Sequence, residues 1–493
     1  MNHVIRLQPE DNVAVALGDI PQGTCLKISG LEIYASEDIP RGHKIALTPI
    51  AVGKDVVKYG HPIGHAVQAI QPGQWVHTHN LKTSLQDVLE YRENLHPVAL
   101  EPLEPELFSG FLRADGRVGI RNEIWIIPTV GCVGSVAENL AKDNQHLVQG
   151  SVEGIFAFPH PYGCSQMGDD HAQTRRLLAS LAQHPNAGGV LILGLGCENL
   201  TMDQFRQELG SWDDKRMKFL VCQEVDDEMQ EGSRLLEALV EAMASDKRQP
   251  IPAHKLVVGL KCGGSDGLSG ITANPTVGQF SDLLIAQGGS TILTEVPEMF
   301  GAETILFNRC MDREVYEKAV AMVNDFKEYF LRHDQVIYEN PSPGNKSGGI
   351  STLEDKSLGC VQKGGRAPVV DVLQYGERVC KQGLNLLSGP GNDLVSATAL
   401  AAAGAHLVLF TTGRGTPFGS PVPTVKIATN DQLFQFKSRW MDFNAGTVAL
   451  GESIEDAGTR LMELVREVAS GTRTKNELAG LREIAIFKGG VTL

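Results

Sequence analysis

Short, almost continuous apolar runs recur from about residue 111 onward, each followed by a polar, glycine-bearing loop, and this alternation constrains the fold more than any other feature of the chain. The runs cover residues 124–130, 154–158, 189–195 and 219–222, with helical spacing in the intervening segments 172–184 and 226–243. Runs this short, apolar at successive positions rather than at alternate ones, fit strands buried on both faces of a mostly parallel sheet. Charge and two prolines break the pattern at residues 246–252, after which strand candidates resume at 255–260, 291–294, 369–372, 384–387 and 406–411. The expectation is an α/β middle domain over residues 111–248 and a second parallel-sheet domain over 249–493.

The first 95 residues read differently. Gly18, Gly23, Gly30, Gly42, Gly53, Gly60, Gly64 and Gly73 separate short β-rich runs such as residues 13–17 and 54–59, the pattern of a small all-β domain of hairpins. Pro97, Pro102 and Pro105, interleaved with Glu101, Glu104 and Glu106, mark residues 96–110 as an extended linker. Three domains agree with the roughly 100–200 residues that one core usually serves, given 493 in all. Hydrophobic residues at 42% and charged residues at 21% exclude a disordered chain. A net charge of -15 without a basic stripe argues against nucleic acid or an anionic membrane as partner. No apolar stretch is long enough to span a bilayer, so a cytoplasmic protein is expected.

In open parallel sheets ligands bind beyond the carboxyl ends of the strands, and the loops at those places are rich in ionisable residues. Gly196-Cys197-Glu198-Asn199 follows one run, Lys261-Cys262-Gly263-Gly264-Ser265-Asp266-Gly267 a second, and Glu295-Val296-Pro297-Glu298 a third. Ser388-Gly389-Pro390-Gly391-Asn392-Asp393 and Thr412-Gly413-Arg414-Gly415 offer backbone N–H groups and, from Arg414, a bidentate carboxylate clamp. No dinucleotide fingerprint or P-loop accompanies them, which sets nucleotide binding aside. His77 and His79, one residue apart, would share a strand face and form half of a metal site, or simply face solvent. Asp169 or Asp170 is expected to cap the helix that follows.

Nine cysteines without one Cys-x-x-Cys pair resemble neither a disulfide framework nor a zinc ribbon. Five of them, Cys132, Cys164, Cys197, Cys262 and Cys360, adjoin glycine. Thiolates such as Cys164, Cys197, Cys262 and Cys360 are candidates to hold an iron–sulfur cluster, against the plainer reading of small buried side chains beside turns.

Several longer segments carry a family resemblance: His77-Thr78-His79-Asn80, Gly119-Ile120-Arg121-Asn122-Glu123, Tyr162-Gly163-Cys164-Ser165-Gln166, Gly194-Leu195-Gly196-Cys197-Glu198-Asn199, Cys262-Gly263-Gly264-Ser265-Asp266-Gly267 and Thr294-Glu295-Val296-Pro297-Glu298. Residues 338–346, 353–360 and 485–493 add to it. Over essentially its whole length the chain resembles the altronate/galactarate dehydratase family. That resemblance implies an N-terminal SAF-like (β-clip) domain, a middle domain that forms a homodimer, and a C-terminal Rossmann-like sheet without a nucleotide. It also implies dehydration of an aldonate, D-altronate to 2-dehydro-3-deoxy-D-gluconate, in hexuronate breakdown, with galactarate as the alternative substrate. The implied cofactor is ferrous iron or a similar divalent metal such as Mn2+.

Removing water from a 2,3-dihydroxy acid requires a base for the proton next to the carboxylate, an acid for the departing hydroxyl and positive charge for the enediolate. Lys261 or His160 is expected as base. Glu295, Glu298 and Asp266 are expected to orient or bind the metal, with His77, His79 and Cys262 as further ligand candidates, and Arg414, Asn199, Ser265 and Asn392 to bind substrate. A non-catalytic sugar-acid binding protein would need no such concentration of acids and bases.

Overall fold

The computed structural model describes residues 4–85 and 90–490; the ends of the closing motif, Val491-Thr492-Leu493, lie outside the described residues. Residues 4–85 form small antiparallel sheets. Val4–Ile5, Val13–Ala16, Lys44–Ala46 and Trp75–Val76 make one, Asp55–Lys58, His61–Ala66 and Leu81–Lys82 a second, and Cys25–Ile28 pairs with Leu31–Tyr34 as a hairpin. Residues 90–106 have no regular structure. The chain then enters the strand Leu107–Leu112, which pairs antiparallel with Gln249–Pro252, so the entry to and exit from the middle domain lie side by side.

The middle domain holds four parallel strands, β1 (Glu123–Pro128), β2 (Ile155–Ala157), β3 (Ala187–Gly194) and β4 (Met217–Val221), in spatial order β2-β1-β3-β4. Helices α1 (Gly134–Asp143), α2 (Gly168–Ala182) and α3 (Met202–Leu209) follow the first three. The C-terminal domain holds seven parallel strands: β5 (Val257–Cys262), β6 (Ser290–Leu293), β7 (Val369–Leu373), β8 (Leu384–Leu387), β9 (Leu407–Thr412), β10 (Thr424–Ala428) and β11 (Phe443–Asn444). Their order, β7-β8-β6-β5-β9-β10-β11, differs from the usual dinucleotide-binding order by the insertion of β8 between β6 and β7. The first strand, β5, is central, and its two neighbours leave it in opposite directions, the place where a parallel sheet opens a crevice.

Two strands, β10 and β11, carry no continuous apolar signal. The reason is visible in β10, where Lys426 is buried with its ammonium on the carbonyls of Thr416 and Phe418. The expected cap on α2 is also absent. Asp170 instead accepts from the backbone N–H groups of Gly489 and Gly490 at 2.9 and 2.7 Å, pinning the C-terminal segment to the middle domain. Arg121 and Glu123, read as part of a family motif, bind Glu477 and Arg482 from buried positions and clamp the middle and C-terminal domains together.

The N-terminal domain docks on helix α4 (Leu353–Cys360) and the turn before it. Asp355 receives Lys44 at 2.8 Å and Lys58 at 3.0 Å, with all three side chains at 0–2% exposure. Burial alone would favour a neutral carboxyl, but the two ammonium groups hold Asp355 well below the carboxylate range. Close contact is possible because three glycines meet there: a Cβ on Gly267 would fall 1.8 Å from the Gly42 carbonyl oxygen, and one on Gly349 (φ +103°) 2.2 Å from the same atom.

Breaking one member of such a group leaves uncompensated buried charge, which costs about 3–5 kcal/mol. Asp355→Ala should therefore lower the unfolding free energy by about that amount, with the N-terminal domain becoming the first target of limited proteolysis; denaturant titration with peptide mapping measures both.

Candidate active site at the carboxyl edge of the seven-stranded sheet

Strands β5 and β6 end side by side, and their last residues meet side chains from α4 and from helix α5 (Asp393–Ala402). Lys261 is fully buried within β5. Its ammonium lies 3.1 Å from Glu295, 2.7 Å from Asp393 and 3.2 Å from the Ser396 hydroxyl. Glu295 adopts φ 71°, a left-handed conformation unusual for a residue with a side chain. That turn directs one carboxylate oxygen to Lys261 and the other to the Cys262 backbone N–H at 2.8 Å.

One turn further, Glu298 reaches the α4 side of the site. One of its oxygens takes Lys356 at 2.7 Å; the other lies 2.8 Å from the Cys262 sulfur and 3.2 Å from that of Cys360. The two sulfurs are 3.5 Å apart. A third buried lysine, Lys363, stands 4.0 Å from Glu295. Three lysines thus face three carboxylates, those of Glu295, Glu298 and Asp393; all but Asp393, whose side chain is 34% exposed, are closed off from solvent.

The electrostatics follow from burial and pairing. Burial pulls the Lys261 ammonium down, but Glu295 and Asp393 outweigh it and hold Lys261 above the ordinary lysine range. Glu298 is pushed up by burial and pulled back to about 2 by Lys356 and Lys363. Glu295 moves the other way, pushed well up by burial and by the neighbouring Cys262 thiol. Hydrogen bonding to Cys360, then burial, raise the Cys262 thiol. Lys261 is therefore held as a cation by its two carboxylate partners and is poorly suited to take a proton.

Cys262, Glu298 and Cys360 place three ligand atoms within 4.8 Å of one another and form the one such group among the described residues. Two sulfurs and one carboxylate oxygen suit a borderline or soft divalent ion better than Mg2+ or Ca2+, so the donor set fits ferrous iron and is a less natural home for Mn2+. A bound cation would also reverse the upward push on the Cys262 thiol.

Other residues singled out in the sequence lie elsewhere. His160 belongs to the middle domain, where its Nε2 donates to the Pro128 carbonyl at 2.8 Å and its Nδ1 accepts the Tyr162 N–H at 3.2 Å; burial lowers it to about 4, and neither nitrogen is available as a base. His77 and His79 lie in a turn after Trp75–Val76, not on a strand. The His77 ring stacks on Trp75 and meets the Ser351 hydroxyl at 3.0 Å, while His79 is exposed. Asn199 accepts the Ser165 N–H in the middle domain, and Asn392 caps α5. The proposed four-cysteine set divides, with Cys164 and Cys197 exposed in the middle domain and Cys262 and Cys360 buried in the C-terminal one.

Asp266, Ser265 and Arg414 remain near the site. Asp266 is buried and raised by that burial, accepting from Ser269, Thr429 and Asn430. It borders a cavity of about 10 Å³ that also touches Ser265, Lys356 and Cys360. On its other side it lines an open cleft of about 450 Å³ with Arg41, Gly42 and Arg414. A larger concavity, about 570 Å³ along residues 225–237, contains none of the buried charged groups.

Residues 2–84 match the Altronate/galactarate dehydratase SAF domain, residues 110–244 the D-galactarate dehydratase/Altronate hydrolase second domain, and residues 253–492 the D-galactarate/Altronate dehydratase C-terminal domain. Altronate dehydratase of Escherichia coli (strain K12) is 52% identical over 99% of both chains, and that of Bacillus subtilis (strain 168) 53% identical over 100% of both. The galactarate dehydratase (L-threo-forming) of Escherichia coli (strain K12) is 35% identical over 98% of this chain and 96% of its own. The chain belongs to the altronate/galactarate dehydratase family.

Within this family the segments that carried the resemblance now divide by role. Residues 262–267 and 294–298 build the buried site, whereas residues 119–123 join domains. Little in the sequence marks Lys356, Lys363 and Ser396 as site residues. The best signal was α4 itself, Leu353-Glu354-Asp355-Lys356-Ser357-Leu358-Gly359-Cys360, a helix buried at every position despite three charged residues.

Cobalt is a suitable probe because thiolate ligands give it an intense charge-transfer band. Cys262→Ser and Cys360→Ser should each weaken that band, which only the double variant loses outright, and should weaken Co2+ binding on the order of 100-fold, since ligation at such sites contributes several kcal/mol per donor; titration followed by absorbance and calorimetry checks both.

Proposed function

We propose that the protein is a hydro-lyase that converts D-altronate to 2-dehydro-3-deoxy-D-gluconate and water in hexuronate breakdown. The observation that carries this reading is the 52–53% identity, over essentially the full length, to two relatives named altronate dehydratase.

The site offers each group the reaction needs. Glu295, held in its left-handed turn between Lys261 and the Cys262 N–H, takes the proton from the carbon next to the substrate carboxylate. Lys261 and Lys363 keep positive charge beside it as the enediolate forms. Lys356, a buried cation already donating to Glu298 and Asn340, gives the departing 3-hydroxyl the proton with which it leaves as water. Cys262, Glu298 and Cys360 would hold a divalent ion, which when bound supplies Lewis acidity toward the substrate oxygens.

Substrate approaches through the Arg41–Arg414 cleft, where the two guanidinium groups suit a carboxylate. Thr412 fixes the start of the Arg414 turn by accepting the backbone N–H groups of Arg414 and Gly415. The cavity beside Lys356 and Cys360 has room for about one water at most.

Purified protein incubated anaerobically with ferrous iron and reductant should form a 2-keto-3-deoxy product from altronate in preference to galactarate, mannonate or gluconate. Preference for galactarate would move the substrate assignment to the more distant relative's reaction; saturable binding without turnover of any acid would leave a binding protein. Glu295→Gln should lower kcat by about 10²–10⁴-fold, the usual range for a general base, with metal content unchanged. Arg414→Ala should chiefly raise KM, by about 10–100-fold, from the roughly 1.5–3 kcal/mol carried by a hydrogen bond to a charged group.

A further inference from the structure

Each parallel strand of the middle sheet runs out into a cysteine: Cys132 after β1, Cys164 after β2, Cys197 after β3 and Cys222 after β4. Cys222 is half-buried and packs against the core beneath the sheet. The other three are exposed, although free cysteine is among the residue types most often buried. Packing does not account for cysteine at these positions.

The three lie on adjacent strands, and their loops are joined directly. The Gly131 N–H, beside Cys132, donates to the Tyr162 carbonyl at 2.8 Å. The residues flanking Cys164 reach the Cys197 loop, Gly163 accepting the Leu200 N–H at 3.0 Å and Ser165 donating its N–H to Asn199 at 2.7 Å. Contact this close demands special backbone: Ser165 has φ 57°, and a Cβ on Gly163 (φ +95°) would fall 1.9 Å from the Thr129 carbonyl oxygen. Helices α1, α2 and α3 begin two, four and five residues after the respective cysteines, turning their positive ends toward this edge and favouring anionic ligands. Beside the Cys164 loop, Gln166 is 4% exposed; its oxygen accepts the Gly163 N–H, and its buried Nε2 has no partner.

The spacing distinguishes this edge from the C-terminal site. Strands stand about 4.8 Å apart, and the three sulfurs do not crowd into a set for one ion as Cys262, Glu298 and Cys360 do. A ligand with several metal centres matches that separation. We propose that Cys132, Cys164 and Cys197 bind an iron–sulfur cluster through three thiolates, leaving one iron free for a hydroxyl or carboxylate oxygen. Uptake of an assembled cluster replaces three S–H bonds by three S–Fe bonds and releases three protons; assembly from free sulfide and iron balances when half of the iron is ferric. The proposal is independent of the assignment of the C-terminal site.

The test is anaerobic reconstitution of the full chain with ferric ammonium citrate, sulfide and dithiothreitol, the thiol reducing part of the iron, followed by desalting, iron and acid-labile sulfide analysis, and visible absorption. The expected result is about four iron and four sulfide per chain, with the broad visible band lost in C132S, C164S and C197S and retained in C222S, C262S and C360S. Thermal melts identify any variant that fails to fold. In the wild type, the loaded protein should shield these three cysteines from iodoacetamide while exposed Cys25 and Cys380 react as before. Iron bound without sulfide, a cluster that survives the three serine variants, a cluster lost with C262S or C360S, or unchanged alkylation on loading would each overturn the proposal.

Discussion

A buried charge must find its opposite or be neutralised, and the C-terminal domain is arranged around that requirement. Lys261, Lys356 and Lys363 are withdrawn from water against Glu295, Glu298 and Asp393. Burying any one of these alone would cost several kcal/mol, so their positions have to be fixed together. The parallel sheet supplies the fixing: β5 and β6 end side by side, the Glu295 turn spans the gap between them, and α4, the turn that follows it and α5 bring the remaining groups.

The same arrangement explains how similar side chains acquire different tasks. Glu295 and Glu298 are three residues apart and both buried, but Glu298 answers to Lys356 and Lys363 and stays a carboxylate at low pH, whereas burial dominates at Glu295 and leaves it basic. Enzymes that handle protons near neutrality rely on such separated environments. Lysine at the end of β5 is read from sequence as a base, yet the two carboxylates beside it stabilise its charged form, which disfavours its taking a proton.

The sheets were legible in the sequence where strands are buried on both faces, because such strands leave an unbroken apolar record. The runs at 124–130, 189–195 and 384–387 correspond to β1, β3 and β8. Strand β10 escaped because a buried lysine interrupts it, and its ammonium finds carbonyl partners visible only in three dimensions. For the site, position after a strand was informative: Lys261, Cys262, Glu295 and Glu298 come together at one edge. Sequence could not separate that edge from the corresponding edge of the middle sheet, which is why His160, Asn199, Cys164 and Cys197 were grouped with it. Nor could it assign Lys356 or Lys363, whose relevance depends on where α4 packs.

Helix α4 belongs to two neighbourhoods at once. Asp355 turns toward the two lysines of the N-terminal domain, and the next residue, Lys356, turns toward Glu298; Cys360 follows one turn later. Domain attachment and site assembly therefore draw on the same rigid segment, and by thermodynamic reciprocity whatever steadies one steadies the other. The small β domain acts as a brace for the helix that carries Lys356 and Cys360, and its own Lys58 and Tyr59 wall the cavity beside them.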